Sequence, residues 1–501
     1  MKNNFINIIT RNIKRFNSEP NFLLIIGFYL LPIISIIIQF LQLNLKPGAE
    51  FDKFFFNSDS VYMTQVCKDI IQNDAKLTDW IIVGAPEFFP TLILNYIICF
   101  LIGNYFISQL VYLIIQLITF NILSYILLKN FTEKNYALYF NGLINLLIIF
   151  VLHIKPFEYI FISSHHFGTY LNFLFTLLLL YKSSKNKLNN IFIILFIFIS
   201  SFCNPIFLAY FVIPLIITNI IVSLIYKIYF LKINFIYLIS GLSGFIIKKS
   251  VFIHENCNEC INSYHTMDNI RFDAIKISLY HIKEFFISNS SIIQNLLAFI
   301  SFSIPLFILL MIYIKREPFS LLFKKNSHFF ILIIISILST IFCFTFLPIN
   351  PQFRHLYNLY FFALLVIPII LYFYLNKVQI QKIIFYSPLL FSLYICFINI
   401  DLDKKFNFDY YPKDIEYIDS ILDKYNLKHG YTEWSYGNRL VYLSKNIITI
   451  IPFHDKTPLH WDINRDWIKK DPEFIINLDP KKLDLQYSKL IQKDNLSIYI
   501  L

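Results

Sequence analysis

The sequence predicts an α-helical polytopic membrane protein with about eleven transmembrane helices and a small external α/β domain at its C-terminal end. The first observation is compositional. Of 501 residues, 57% are hydrophobic, 19% aromatic and only 15% charged, with a mean hydropathy of +0.59. Water-soluble domains carry about 25% charged residues, so a soluble enzyme is excluded, as are a disordered chain and a small disulfide-stapled fold. The second observation is the series of apolar runs, many near the roughly 20 residues that a spanning helix needs. The third is charge placement: residues 1–400 carry 28 basic against 16 acidic side chains, whereas residues 401–501 carry 15 against 16. The basic surplus falls on short turns between apolar runs, where Lys and Arg mark the cytoplasmic side.

The first run, Phe22 to Leu43, follows Lys2, Arg11, Lys14 and Arg15 and has no small-residue cleavage site. It reads as a retained anchor with a cytoplasmic N-terminus. Residues 44–90 then form the first external loop, with seven acidic residues and four Lys. From Phe88 to Leu128 the chain is apolar apart from Gly103 and Asn104. One crossing plus a helix lying at the interface is the expectation there. That choice makes the clusters Lys129/Lys134, Lys182/Lys185/Lys187, Lys227/Lys232, Lys315/Arg316 and Lys377/Lys382 all cytoplasmic.

Further spans are expected at 136–152, 166–181, 190–203, 205–226, 233–250, 293–314, 328–347, 356–376 and 383–399. An odd total places residues 401–501 outside as a soluble domain, and residues 1–400 form the transmembrane domain. Turn-rich and alternating stretches such as Asn446 to Phe453 and Glu473 to Leu478 suit a segment that buries its own core. The abundant Ile, Asn and Lys read as nucleotide bias, which gives the asparagines little functional weight.

The chemistry-bearing residues gather on the outer face. Asp59 follows the first span, and the loop returns to the membrane through Gly84-Ala85-Pro86-Glu87-Phe88-Phe89-Pro90. A carboxylate at headgroup level can act as a base on a substrate anchored in the bilayer. The plain alternative is a solvating or helix-capping aspartate. Arg354 lies at the outer end of a late span, where a guanidinium that would cost about 2.5–3.5 kcal/mol at mid-bilayer is paired or functional. Its planar fork suits a phosphate, with snorkelling to headgroups as the alternative. His355 and Tyr357 stand beside it, and His165 and His166 occupy another outer loop. Two adjacent histidines do not define a zinc site.

Cys257 and Cys260, with His254 and His265 nearby, read as a disulfide or a compact metal cluster that pins a loop. Cys99, Cys203, Cys343 and Cys396 lie in or beside apolar runs and behave as small hydrophobes. With only 10 Gly in the chain there is no phosphate-cradling loop, and no G-x-S-x-G elbow occurs. Nothing favours nucleic acid as a partner.

Asn57-Ser58-Asp59, Ala85-Pro86-Glu87-Phe88-Phe89-Pro90, His165-His166-Phe167-Gly168 and Arg354-His355-Leu356-Tyr357, set in this order of loops and spans, resemble GT-C-type membrane glycosyltransferases. Gly430-Tyr431-Thr432-Glu433-Trp434 and His460-Trp461-Asp462 with Trp467 look like the terminal segment of uncharacterised bacterial members. The resemblance implies an inverting glycosyltransferase of the bacterial inner membrane, multi-pass, with its C-terminal domain periplasmic. It implies a polyprenyl-phosphate sugar as donor and a glycan, lipid or protein as acceptor, with membrane lipids around it. Asp59 would be the catalytic base, and Arg354, His355, Tyr357, Glu87, His165 and His166 would contact substrate. Many members follow the early acid with a second acid, whereas Ser60 stands here. Asp52 or Glu87 is then the remaining source of a partner carboxylate for a divalent metal. A surface-glycan polymerase or ligase and a lipid-linked glycan transporter are the competing classes. The early acidic loop argues against the first, and the absence of mid-span charges and related halves against the second.

Overall fold

Long apolar runs satisfy their backbone polar groups internally by folding as helices, and most of the described residues do so. The computed structural model describes residues 22–43, 55–56, 58–81, 87–150, 167–182, 187–227, 231–252, 317–346, 357–374, 405–454, 457–458, 463–477, 485–493 and 496–501, with a few positions between 379 and 388. The expected spans at 293–314 and over most of 383–399 lie outside these residues.

The helices in chain order are α1 (Phe22–Leu41), α2 (Ser58–Asn73), α3 (Phe88–Ile102), α4 (Tyr105–Leu128), α5 (Lys134–Phe150), α6 (Phe167–Lys182), α7 (Lys187–Cys203), α8 (Leu208–Tyr226), α9 (Leu231–Phe252), α10 (Glu317–Phe346) and α11 (Tyr357–Tyr374). Among the described residues, α1, α4 and α8 are long and apolar enough to cross a membrane. The apolar stretches Phe88–Ile102, Phe167–Tyr181, Leu188–Cys203 and Asn326–Thr340 are shorter than a full span. Among the described residues three helices are therefore of full span by length and composition, and the expected count of about eleven crossings is not confirmed. Large apolar side chains project outward from the bundle, among them Leu23, Ile97, Phe100, Leu101, Leu224 and Phe235. Such a surface is consistent with lipid and not with water.

The apolar stretch from Phe88 to Leu128 is two helices. Gly103 ends α3 with φ +71°, a backbone open to glycine, and its N–H caps the Cys99 carbonyl at 2.9 Å. Asn104 starts α4 by accepting the Ile107 N–H at 3.0 Å.

Three asparagines serve the bundle as interhelical glue. Asn121 donates to Asn145 at 3.2 Å, Asn141 donates to Tyr29 Oη at 3.1 Å, and Asn145 donates to the Phe28 carbonyl at 2.8 Å, joining α1, α4 and α5. In lipid a buried amide has no water to fall back on, so these bonds fix which helices meet. The α7–α9 pair uses small residues instead. Ser240 Oγ donates to the Ile194 carbonyl at 2.7 Å, and a Cβ on Gly244 would lie 2.4 Å from the Phe198 carbonyl oxygen. Contacts advance along both chains in the same sense, so α7 and α9 run parallel.

Residues 405–501 fold as an α/β unit. Helices α12 (Lys413–Tyr425), α13 (Trp434–Leu443) and α14 (Arg465–Ile468) accompany a six-stranded sheet in the order β4-β3-β2-β6-β8-β7. Its strands are β2 (His429–Glu433), β3 (Thr449–His454), β4 (Thr457–Pro458), β6 (Phe474–Ile476), β7 (Lys489–Lys493) and β8 (Leu496–Ile500). β2 pairs in parallel with both β3 and β6, and α13 makes the β2–β3 crossover. The stretches around Asn446 to Phe453 and Glu473 to Leu478 contain β3 and β6.

This unit is bolted to the first loop. β1 (Trp80–Ile81) pairs antiparallel with β5 (Ile463–Asn464), and Trp80 meets Trp467 edge to face with centroids 5.3 Å apart. Asp69 on α2 is only 4% exposed. It accepts from Trp80 Nε1 at 3.0 Å, Asn464 Nδ2 at 2.8 Å and Asn73 Nδ2 at 2.7 Å. Its neighbour Lys68 donates to the carbonyls of Val441, Tyr442 and Ser444 at 2.9, 3.3 and 2.9 Å. These are the acceptors that the end of α13 leaves unsatisfied.

Candidate functional site

The early turns of several helices come together against the middle of α4. α3 starts after Glu87, whose N–H donates to the Cys203 carbonyl at 3.1 Å and whose carbonyl accepts from Leu92 at 3.1 Å. The Phe89 N–H donates to Cys203 Sγ at 3.3 Å, and Asn172 on α6 donates to the Phe89 carbonyl at 3.2 Å. Gly168, in the first turn of α6, lies directly against Thr91 and Pro90. α11 joins through Phe361, its fifth residue, 5.2 Å from Phe167 and 4.8 Å from Tyr170 between ring centroids, with Phe120 of α4 completing the cluster. The starts of α3, α6 and α11 and the C-terminal end of α7 therefore surround one aromatic plug.

This convergence brings together positions that lie far apart in sequence. Glu87 is 4% exposed and holds a left-handed backbone at φ +43°. A non-glycine residue keeps such a conformation, worth about 1–3 kcal/mol of strain, only where its surroundings over-determine it. Tyr357 is the first residue of α11. His165 and His166, immediately before α6, and Arg354 and His355, just before α11, lie outside the described residues, as do Asp52, Cys257 and Cys260. Asp59 occupies the first turn of α2, the helix end at which a carboxylate is favoured. α2 crosses α3 where Thr64 Oγ1 lies 3.4 Å from Asn95 Oδ1 and 3.3 Å from Gln109 Oε1. Asn95 is about 12 Å along α3 from Glu87 at 1.5 Å per residue.

Lys248 is a member of this cluster that the sequence reading passed over. The close Gly244 crossing carries α9 one turn further to Lys248, half-buried and within electrostatic reach of Cys203, as is Glu87. A signal for it was present: Lys248 and Lys249 end a span whose other end already bears Lys227 and Lys232, against the usual one-sided bias. Glu87 and Lys248 both act electrostatically on Cys203, so this cluster carries charges of both signs. Among the described residues, no three His, Cys, Asp or Glu side chains gather as a metal set.

Lys68 and Asp69 were also missed, because their partners lie near residues 441–464. Burial pushes the Lys68 ammonium down to about 8, partly offset by the charge of Asp419. They give α2, and with it Asp59, a rigid mounting on the C-terminal unit.

No family model, curated protein or solved structure matches this chain.

Proposed function

We propose that the chain is an inverting membrane glycosyltransferase acting at the outer face of a bacterial inner membrane, with a cytoplasmic N-terminus and an external C-terminal domain. Its donor is a polyprenyl-phosphate sugar, and its acceptor a hydroxyl of a glycan, lipid or protein. The acceptor oxygen attacks the anomeric carbon while Asp59 takes its proton. The bond from that carbon to the phosphate oxygen breaks, and the lipid phosphate leaves with the electron pair. Arg354 and Lys248 hold the phosphate, and Glu87, His165, His166, His355 and Tyr357 contact sugar or acceptor.

The observation that supports this reading most is the convergence of the α3, α6 and α11 starts. Each follows directly on residues the resemblance assigns to substrate, and Glu87 and Lys248 supply opposite charges at that level. A donor whose sugar phosphate reaches in between helices while its tail stays in the bilayer fits a cluster of charges inside a lipid-facing bundle.

The test is radiolabelled transfer from polyprenyl-phosphate sugars in membranes holding the parent, Asp59→Asn, Arg354→Ala or Lys248→Met. Loss of a general base removes about 10²–10⁴ in rate, so Asp59→Asn should fall by that order at saturating donor. Arg354→Ala and Lys248→Met should raise the donor KM. Transfer by Asp59→Asn at the parent rate would remove the proposed base.

A further inference from the structure

We infer that Lys405 to Asp409 form a lipid-contact site, by which the C-terminal unit rests on the outer leaflet with Phe406 and Phe408 seated between headgroups and acyl chains. The inference needs only that α1 and α4 span the bilayer and is independent of glycosyl transfer. Phe406 is 50% exposed and Phe408 60%, although most of the described phenylalanines are buried.

Their level is fixed by the residue between them. The Asn407 N–H donates to the Leu41 carbonyl at 2.8 Å, and its side-chain amide reaches the same oxygen at 3.4 Å. Leu41 is the last residue of α1, so that carbonyl is one a helix end leaves unsatisfied. For a helix of full span, its depth is the edge of the hydrocarbon. A second tie comes from Asn104, at the α3–α4 turn, whose amide donates to the Phe408 carbonyl at 3.0 Å.

The two aromatic rings thus leave the protein beside the ends of two apolar helices. They continue a surface that includes Phe100 and Leu101 on α3, 66% and 74% exposed. Phenyl rings at this depth are favoured because, like the Phe and Leu side chains of interfacial segments, they leave water for the acyl boundary. Exposed Lys405 adds a cation where lipid phosphates lie. Continuity with the apolar flank of the bundle selects lipid over a water-soluble protein as the occupant.

The experiment uses the full chain reconstituted in phosphatidylcholine vesicles, with Phe408→Trp, Phe406→Trp and, as a water-facing control, Tyr487→Trp. Quenching of the added emission, taken as variant minus parent, is compared between lipids brominated near the headgroup and aqueous iodide. At 406 and 408 the brominated lipid should remove most of the added emission and iodide little, while at 487 the order should reverse. Quenching of both added indoles by iodide alone would place the segment in water. Protection from both quenchers would mean that protein covers it. Either result overturns the assignment.

Discussion

Lys68 donates to three backbone carbonyls at the end of α13, and at neutral pH it does so as a charge taken largely out of water. Its protons are held less tightly in the fold, near 8, than in the unfolded chain, near 10.5. Between those values the unfolded state binds more protons, so this residue's contribution to stability rises with pH across that window. Lys68→Met leaves the carbonyls unpaired and should cost about 1–3 kcal/mol. Thermal unfolding in detergent at pH 7.5 and pH 10 should show parent and variant diverging as pH rises; a gap that narrows would contradict the assignment. Glu87 illustrates the complementary case. Its sequence context marked it as substrate-facing, but its left-handed backbone and its bond to Cys203 depend on a neighbour more than one hundred residues away.

At the scale of elements, the α7–α9 crossing sets where Lys248 stands. Gly244 leaves no room for a side chain against the Phe198 carbonyl. Gly244→Leu should push the helices apart at a cost of about 1–3 kcal/mol and carry Lys248 away from Cys203. The expected readout is a donor KM raised as in Lys248→Met, with Gly244→Ala intermediate; an unchanged KM in a folded Gly244→Leu protein would detach the crossing from the site. The helices themselves were largely legible, because the apolar run from Phe22, the Gly103-Asn104 break and the runs ending near 203 and 226 each carry their own length and stop signals. Their partners were not. The asparagines of α4 and α5 look like bias until their amides are seen to join three helices, and hydropathy reports how apolar a helix is without saying which neighbour it meets.

For the whole molecule, the sequence predicted a membrane bundle with an external unit and left the relation between them open. The structure joins them through α2, β1 and β5, so the C-terminal unit forms one body with the loop that bears Asp59. Detaching it should loosen that loop: a chain ending after Lys404, still inserted, should be cut by external protease between residues 44 and 86 far faster than the parent. Equal cleavage would mean that the loop stands alone. Of the proposed site, Asp59, Glu87 and the histidines were proposed from their loops and Lys248 left a trace in its place at the second end of a span, whereas the Lys68–Asp69 mounting arises only from contacts across the fold. The pairing of Trp80 with Asn464 also constrains biogenesis. During synthesis the early strand waits, unmatched, while nearly four hundred further residues leave the ribosome. The enzyme proposed here would therefore be assembled last at the place it begins, and every nascent intermediate would carry an unfinished site.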